Sequence, residues 1–202
     1  MKIIIPSLLL PPISFFIDAL KADEWLIEIN ETFTKQTFRN RYYIATSQGI
    51  RAMIVPLYRP NGSNTLTKDI LLSKDYNWIE YHHKTIITNY RNSAYFDYYE
   101  DELIDIFSKY DKLYEINTAL LQWTLNQLNY KIDINYTNDF KNDYSNDYLD
   151  LRTKYRRYEA IKIPVYRQVF IDKLDFIPNL SIFDLLCNLG PESIIYLKNL
   201  IL

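Results

Sequence analysis

The chain has 202 residues, enough for one well-buried core and too few for two ordinary domains to be expected. Hydrophobic residues make up 48% of it and charged residues 24%, and this composition excludes a disordered chain. Its 23 basic and 25 acidic residues give a formal net charge of -2, so no overall field attracts nucleic acid or an anionic membrane surface. We therefore predict a single domain over residues 1–202 with no nucleic-acid partner.

The cysteine content and the apolar N-terminal stretch indicate in which cellular compartment the protein is expected. Cys187 is the only cysteine, which excludes an internal disulfide and a multi-cysteine zinc site and favours a reducing cytoplasm. The N-terminal stretch is apolar, but Pro6, Pro11 and Pro12 interrupt it well before the roughly 18 residues that a membrane span requires. We expect a cytoplasmic protein with no membrane span and no signal peptide.

The first part of the chain is predicted to be rich in strands. Residues 2–5 read as a short buried strand, residues 13–22 have helical spacing, and residues 23–30 alternate as a strand does. β-rich runs on either side of Gly49 predict a hairpin over 41–57, since glycine can adopt the positive φ that a tight turn demands. This hairpin is the clearest β signal in the sequence.

The later part of the chain is predicted to be mainly helical. Apolar residues recur at helical offsets over about 77–130, and Ser181 offers an N-cap to a short helix that Gly190 ends. Pro191 then begins a terminal helix. We therefore predict an α+β fold, with a mostly antiparallel sheet around the 41–57 hairpin, a group of helices packed on it, and a short C-terminal helical pair.

His82 and His83 are the only histidines, and the helical wheel separates them. His83 shares a face with Ile79, Ile86 and Tyr90, which favours a hydrogen-bonded core histidine. His82 lies on the flank of that face, where its imidazole could reach a cleft and act as a base near neutral pH. Adjacent histidines do not form the i, i+4 pair that binds a metal on a helix, so no metal site is predicted.

The standard phosphate-binding and hydrolase motifs are missing from the sequence. There is no G-x-S-x-G, Walker A or G-x-G-x-x-G, and with only three glycines a phosphate would be held mainly by arginine and lysine. Arg39 and Arg41 at the start of the hairpin suit this task, although a solvated strand edge explains them equally well. Asp184, one turn from the Ser181 N-cap, either favours the helix dipole or reaches a neighbouring base.

Four stretches, in order along the chain, carry a recognisable pattern. They are Asn40-Arg41 before the hairpin, His82-x-Lys84-Thr85-Ile86, Tyr90 followed by Tyr95-Phe96, and the run from Asn179 to Leu186. Together they resemble the WbqC-like protein family over nearly the whole chain. The Gln-Pro and aromatic-Pro-Trp motifs common at the N-terminus of the family are replaced here by the stretch 7–12. The resemblance implies a cytoplasmic role in making or decorating an activated sugar for O-antigen-type surface polysaccharide.

The resemblance and the residue spacing together imply a transferase that moves an acyl or aminoacyl group to an activated amino sugar. His82 is the predicted general base, with Asp184 as the second catalytic residue. The predicted substrate-binding residues are Asn40, Arg41, Lys84, Tyr90, Tyr95, Tyr166 and Gln168. No cofactor is expected beyond an acyl or nucleotide-sugar donor acting as co-substrate, and the expected partner is the small-molecule or activated-sugar substrate.

Two alternatives stay open at this point. A non-catalytic binding or accessory module of a glycan-biosynthesis pathway needs only exposed aromatic side chains in a groove. A satisfied structural network inside the fold would also bring polar residues together. Catalysis is more demanding, because it requires His82 to share a concave pocket with Arg41 and Asp184.

Overall fold

The structure, a computed structural model, describes residues 1–144 and 147–201. Its strands are β1 (Lys2–Pro6), β2 (Glu24–Glu28), β3 (Arg41–Thr46), β4 (Gly49–Ile54), β5 (Leu57–Tyr58), β6 (Leu71–Leu72), β7 (Asp133–Tyr136) and β8 (Leu149–Asp150). Its α-helices are α1 (Ile13–Ala19), α2 (Trp78–Tyr90), α3 (Phe96–Lys109), α4 (Leu113–Gln127), α5 (Ile171–Leu174), α6 (Ile182–Leu189) and α7 (Ser193–Asn199). Short 3-10 helices cover Gly62–Asn64, Thr67–Asp69 and Gly190–Glu192.

The main sheet contains four parallel strands in the order β7-β2-β1-β8. The fold therefore combines helices and strands as predicted, but the expectation of a mostly antiparallel sheet is wrong. β1 and β2 are joined through α1, and parallel neighbours need such a crossover. β1 is buried along most of its length, and such a continuous apolar run is typical of a parallel strand that is covered on both faces.

The predicted hairpin is confirmed as β3 and β4, which pair antiparallel from Arg41 opposite Ile54 to Thr46 opposite Gly49. Gly49 has a φ of 105°, a conformation that favours glycine in the tight turn. The hairpin is a sheet of its own, and β5 with β6 forms another antiparallel pair. It joins the C-terminal helices where the Ser181 N–H donates to the Tyr43 carbonyl at 2.9 Å.

The predicted helical regions are confirmed as well. α2, α3 and α4 occupy the region 77–130, and α6 and α7 form the C-terminal pair. The Ser181 hydroxyl accepts a hydrogen bond from the Phe183 N–H at 3.3 Å, and Gly190 ends α6 with a φ of 52°. Side chains from these helices, from α1 and from β1 to β4 share one hydrophobic core. Within the described residues, no helix has the length and apolar character needed to cross a membrane.

A buried polar network closes the carboxyl end of the main sheet. Glu28 ends β2 and is fully buried, accepting hydrogen bonds from the Thr137 hydroxyl at 2.7 Å and the Asn30 N–H at 2.8 Å. Arg152, which follows β8, lies 3.3 Å from the other Glu28 oxygen and 2.6 Å from Asp150. Ligands of open parallel sheets often bind at this edge. Here the charged groups satisfy one another, so the network serves to hold the strand ends together.

Candidate functional site

A cleft of about 290 Å³ opens beside the start of β3, and we call it the basic cleft. Three of its lining side chains are cations and none is acidic. Its polar and charged wall consists of Lys35, Gln36, Asn40, Arg41 and Arg59, with Ile54 among its apolar residues. Two of the predicted substrate-binding residues, Asn40 and Arg41, thus meet in one concave site.

The cations of the basic cleft lack partners among the residues that the structure describes. Within residues 1–144 and 147–201, the side chains of Lys35, Arg41 and Arg59 make no hydrogen bond or ion pair. The Arg41 Nε is buried without an acceptor, and the Asn40 Oδ1 is buried without a donor, while the Asn40 amide donates to the Val55 carbonyl at 3.0 Å. Buried groups left unsatisfied cost free energy, so this cleft is suited to an anion that accepts from Arg41.

Arg39 does not contribute to the basic cleft. Its guanidinium is 2% exposed and forms an ion pair with Glu31 at 2.6 Å. Its Nη2 also donates to the Arg152 carbonyl at 3.3 Å. The expectation that Arg39 and Arg41 form a pair for phosphate is therefore wrong, because the charge of Arg39 is neutralised inside the fold.

A second cleft, of about 270 Å³, lies next to the first and is lined by Ala52, Ile54, Tyr76 and Tyr81. We call it the tyrosine cleft. Ile54 belongs to the lining of both clefts. Tyr76 is 51% exposed and Tyr81 is 43% exposed, so both rings present apolar surface to solvent. Arg51 donates to the Tyr81 hydroxyl at 2.7 Å and lies 5.7 Å from the centre of its ring.

His82 is fully buried behind the wall that the two clefts share. Its Nε2 lies 3.2 Å from the Ile54 carbonyl and its Nδ1 lies 3.1 Å from the Tyr42 hydroxyl. Because a carbonyl can only accept, Nε2 carries the proton and Nδ1 accepts from Tyr42. Burial lowers the pKa of His82 from 6.5 to about 4, so the imidazole is neutral at physiological pH.

The histidine that reaches the surface is His83, not His82. His83 is partly exposed and its Nε2 lies 2.6 Å from a carboxylate oxygen of Glu100. The expectation of a core His83 and a cleft-facing His82 is wrong, because α2 buries the stripe that begins at Trp78. A general base needs a nitrogen that reaches its proton, and both nitrogens of His82 are bonded within the fold. In this geometry His82 holds Ile54 against α2.

Asp184 lies at the centre of a buried network that unites four predicted site residues. The Tyr90 hydroxyl donates to its Oδ1 at 2.7 Å, and the Tyr166 hydroxyl and the Gln168 amide donate to its Oδ2 at 2.5 and 3.0 Å. The Ala45 N–H donates to the Tyr90 hydroxyl at 3.0 Å and so ties the hairpin to the network. Burial raises the pKa of the Asp184 carboxyl, and the three donated hydrogen bonds oppose that rise.

A third cleft, of about 280 Å³, borders this network: Gln168 lines it, and so do Ser93 and Asn188, which donate to the backbone carbonyls of Tyr90 and Asp184. Its other lining residues are Asn92, Ala94, Arg167 and Val169. The side chain of Gln168 is already committed, because its amide nitrogen also contacts the Ile177 carbonyl at 2.9 Å and its oxygen accepts from the Ile177 N–H at 2.9 Å. Asp184 is therefore separated from the basic cleft and closed to solvent.

Two further predicted residues lie outside these sites. Lys84 is exposed and forms an i, i+4 ion pair with Glu80 at 2.5 Å. The ring of Tyr95 covers Gly190, where a Cβ would lie 2.5 Å from ring atoms. Lys84 is absent from the lining of the basic cleft, and Tyr95 closes the end of α6.

A comparison with protein-family models places the chain. The model described as the WbqC-like protein family matches residues 7–157 of the 202. The chain belongs to the WbqC-like protein family. Neither a curated protein nor a solved structure matches it. The matched region of this WbqC-like protein contains the basic cleft, the tyrosine cleft and His82, whereas Tyr166, Gln168 and Asp184 lie beyond its end.

Among the lining residues of the two adjacent clefts of this WbqC-like protein that sequence reasoning missed are two cations and two tyrosines. Lys35 and Arg59 are isolated cations in loops, and no spacing rule connects them with Arg41. Tyr76 and Tyr81 flank the start of α2. With 19 tyrosines in the chain, nothing in the sequence singles out these two.

Proposed function

We propose that this WbqC-like protein acts in the cytoplasm in the synthesis of an O-antigen-type surface glycan, and that its basic cleft binds the phosphate of an activated donor. The observation that carries the proposal is the group of unpaired cations in that cleft, with the buried Nε of Arg41 lacking an acceptor. Membership of the WbqC-like family is consistent with a glycan-related role.

The basic cleft suits a phosphate better than an uncharged ligand such as a neutral sugar. Arg41 presents a planar fork that can donate two parallel hydrogen bonds, and Lys35 adds a mobile point charge. Partial burial strengthens each of these interactions relative to bulk water.

The transferase hypothesis, with acyl or aminoacyl transfer to an amino sugar, makes a specific demand on His82. The imidazole would have to exchange its hydrogen bond to the Ile54 carbonyl for a substrate proton. Loss of a general base lowers kcat by about 10²- to 10⁴-fold. Loss of a positioning residue would instead weaken donor binding through Ile54. Steady-state kinetics of His82→Gln separate these two roles, because loss of a general base lowers kcat whereas weaker donor binding raises KM.

A non-catalytic binding module is the second candidate, and a specific observation favours it. The two predicted catalytic side chains, His82 and Asp184, are both fully buried, and their hydrogen-bonding atoms are engaged inside the fold. The basic cleft and the tyrosine cleft contain neither of these two side chains in their lining. Such a module would present a glycan precursor to a partner enzyme.

We also propose that the whole chain, 1–202, forms one domain. Leu197 of α7 and Leu185 of α6 belong to the same hydrophobic core as Ile3 and Trp25 of the main sheet. The Ile13 N–H donates to the Leu180 carbonyl at 3.1 Å, which ties α1 to the C-terminal region. A chain ending at residue 157 would lose these contacts, and we expect it not to fold independently.

Titration calorimetry with inorganic pyrophosphate tests the phosphate proposal. We expect binding to the wild type that weakens as salt is added, and an at least about tenfold higher Kd in Arg41→Ala, since a hydrogen bond to a charged group contributes about 1.5–3 kcal/mol. Lys84→Ala is the matched control, because it removes a cation that is already paired with Glu80 outside the cleft. Equal pyrophosphate affinity in Arg41→Ala and the wild type would contradict the proposal.

A further inference from the structure

We propose that the donor carries a nucleoside diphosphate, with its diphosphate in the basic cleft and its base in the tyrosine cleft. This inference rests on the proposed function, because it takes the phosphate site as given and adds the ligand class. Nucleotide sugars and acyl-coenzyme A compounds both contain this moiety. The shared chemistry is a planar aromatic ring joined through a ribose to two phosphates.

The two clefts are adjacent because one residue separates them. Ile54 of β4 lines both, and in the antiparallel hairpin it is paired directly with Arg41 of β3. Side chains of directly paired residues lie on the same face of a sheet, and Ala52, two residues along β4, lies on that face as well. This face of the hairpin therefore carries in succession Arg41, the Ile54 side chain that both clefts share, and Ala52 in the lining of the tyrosine cleft.

The tyrosine cleft has the features of a stacking site for a planar ring. Tyr76 lies just before α2 and Tyr81 lies in its first turn, and the two rings line one concavity with Ile54. Both rings are about half exposed, which leaves apolar surface free to stack. The hydrogen bond from Arg51 to the Tyr81 hydroxyl restrains that ring before any ligand arrives.

His82 links this arrangement to the interior of the fold. Its Nε2 donates to the Ile54 carbonyl, and its ring packs edge-on against Tyr81 with 5.9 Å between the ring centres. The imidazole thus contacts both the divider between the clefts and one wall of the tyrosine cleft. This is the role of a positioning residue, since His82 itself is fully buried.

Calorimetry with four probes tests the inference: inorganic pyrophosphate, UDP, UDP-N-acetylglucosamine and acetyl-coenzyme A. We expect UDP to bind at least about tenfold more tightly than pyrophosphate, because stacking of a base on aromatic side chains adds affinity. The double variant Tyr76→Ala, Tyr81→Ala should lose this gain and retain pyrophosphate binding. Tyr98→Ala is the control, since Tyr98 is 75% exposed on α3 and outside both clefts.

The outcomes separate this inference from the proposed function. Equal binding of UDP and pyrophosphate, unchanged in the double variant, would overturn the nucleoside assignment and leave the phosphate site standing. Absence of pyrophosphate and UDP binding in the folded wild type would overturn both. Tighter binding of UDP-N-acetylglucosamine than of acetyl-coenzyme A, or the reverse, identifies which donor supplies the nucleoside diphosphate. Circular dichroism melts of each variant confirm that a loss of binding is not a loss of fold.

Discussion

Acid is expected to destabilise this protein through His82, and the direction follows from its burial. The folded state lowers the pKa of His82 from 6.5 to about 4. Between these two values the unfolded chain binds a proton that the folded chain does not, so protonation favours unfolding. The contribution of the neutral imidazole is therefore fully present above pH 6.5 and is lost as the pH falls towards 4.

The size of this effect can be worked from the two pKa values. Each pKa unit corresponds to about 1.36 kcal/mol, so the difference between 6.5 and about 4 amounts to about 3 kcal/mol of unfolding free energy. Since native domains have total stabilities of about 5–15 kcal/mol, the loss is a substantial fraction. The full burial of the ring means that solvent does not screen it.

Urea unfolding followed by tryptophan fluorescence between pH 7.5 and 4 measures this contribution, with His82→Gln as the comparison. At neutral pH the variant should be less stable by about 1–3 kcal/mol, because the Tyr42 hydroxyl loses its acceptor. The stability of the wild type relative to the variant should then fall by about 3 kcal/mol towards pH 4, which closes or reverses the difference. Asp184, whose pKa is raised by burial, changes stability in the opposite direction, but it is present in both proteins and cancels in the difference.

His83→Gln provides the matched control. It also removes an imidazole, but one that forms a partly exposed pair with Glu100. Exposed pairs contribute only about 0–1 kcal/mol. A stability difference between wild type and His82→Gln that stays constant from pH 7.5 to 4 would refute the argument. So would an imidazole NMR titration that places the pKa of His82 in the folded protein at or above 6.5.

Two further variants test the packing around α6. Asp184→Ala should lower the unfolding free energy by at least about 2 kcal/mol in thermal or urea unfolding, because the hydroxyls of Tyr90 and Tyr166 are left buried without this acceptor at about 1–3 kcal/mol each. A loss below about 1 kcal/mol would argue against a closed network. Gly190→Ala should cost more than Gly62→Ala in the same assay, since both glycines have positive φ but only at Gly190 would a Cβ meet another group, the ring of Tyr95 at 2.5 Å. Equal losses would show that the ring moves aside freely.

The hairpin and the helices of this protein could be predicted, because interactions between residues close in sequence specify them. Gly49 at a turn between β-rich runs predicts the hairpin, and the structure pairs Thr46 with Gly49 across that turn. Ser181 and Gly190 mark the two ends of α6, since an N-cap hydroxyl and a residue of positive φ act within one turn of the chain. The helical region 77–130 follows from the recurrence of apolar side chains.

The histidine pair shows where periodicity becomes ambiguous. The stripe of α2 chosen from the sequence, through Ile79 and His83, and the stripe that the fold buries, through Trp78 and His82, both continue through Ile86 and Tyr90. The two stripes differ by one residue at their start. Only the position of the hairpin and of α3 against the helix decides which histidine enters the core.

The direction of the main sheet and the composition of the site were decided by tertiary structure. Strand β8 pairs with β1 across about 145 residues and comes from a polar, asparagine-rich segment that lacks the apolar alternation typical of a strand. Residues 145 and 146 of that segment lie outside the described residues. Such pairing depends on long-range contacts that no local pattern encodes.

Tertiary contacts also decide which of the two arginines, Arg39 or Arg41, is available for binding. Both are arginines at the start of the hairpin, and the sequence treats them alike. The fold supplies Arg39 with the carboxylate of Glu31 and leaves Arg41 facing a cleft with an unsatisfied Nε. Local sequence therefore determined which elements form, whereas the availability of a charge for binding depends on which groups the folded chain brings within hydrogen-bonding distance of it.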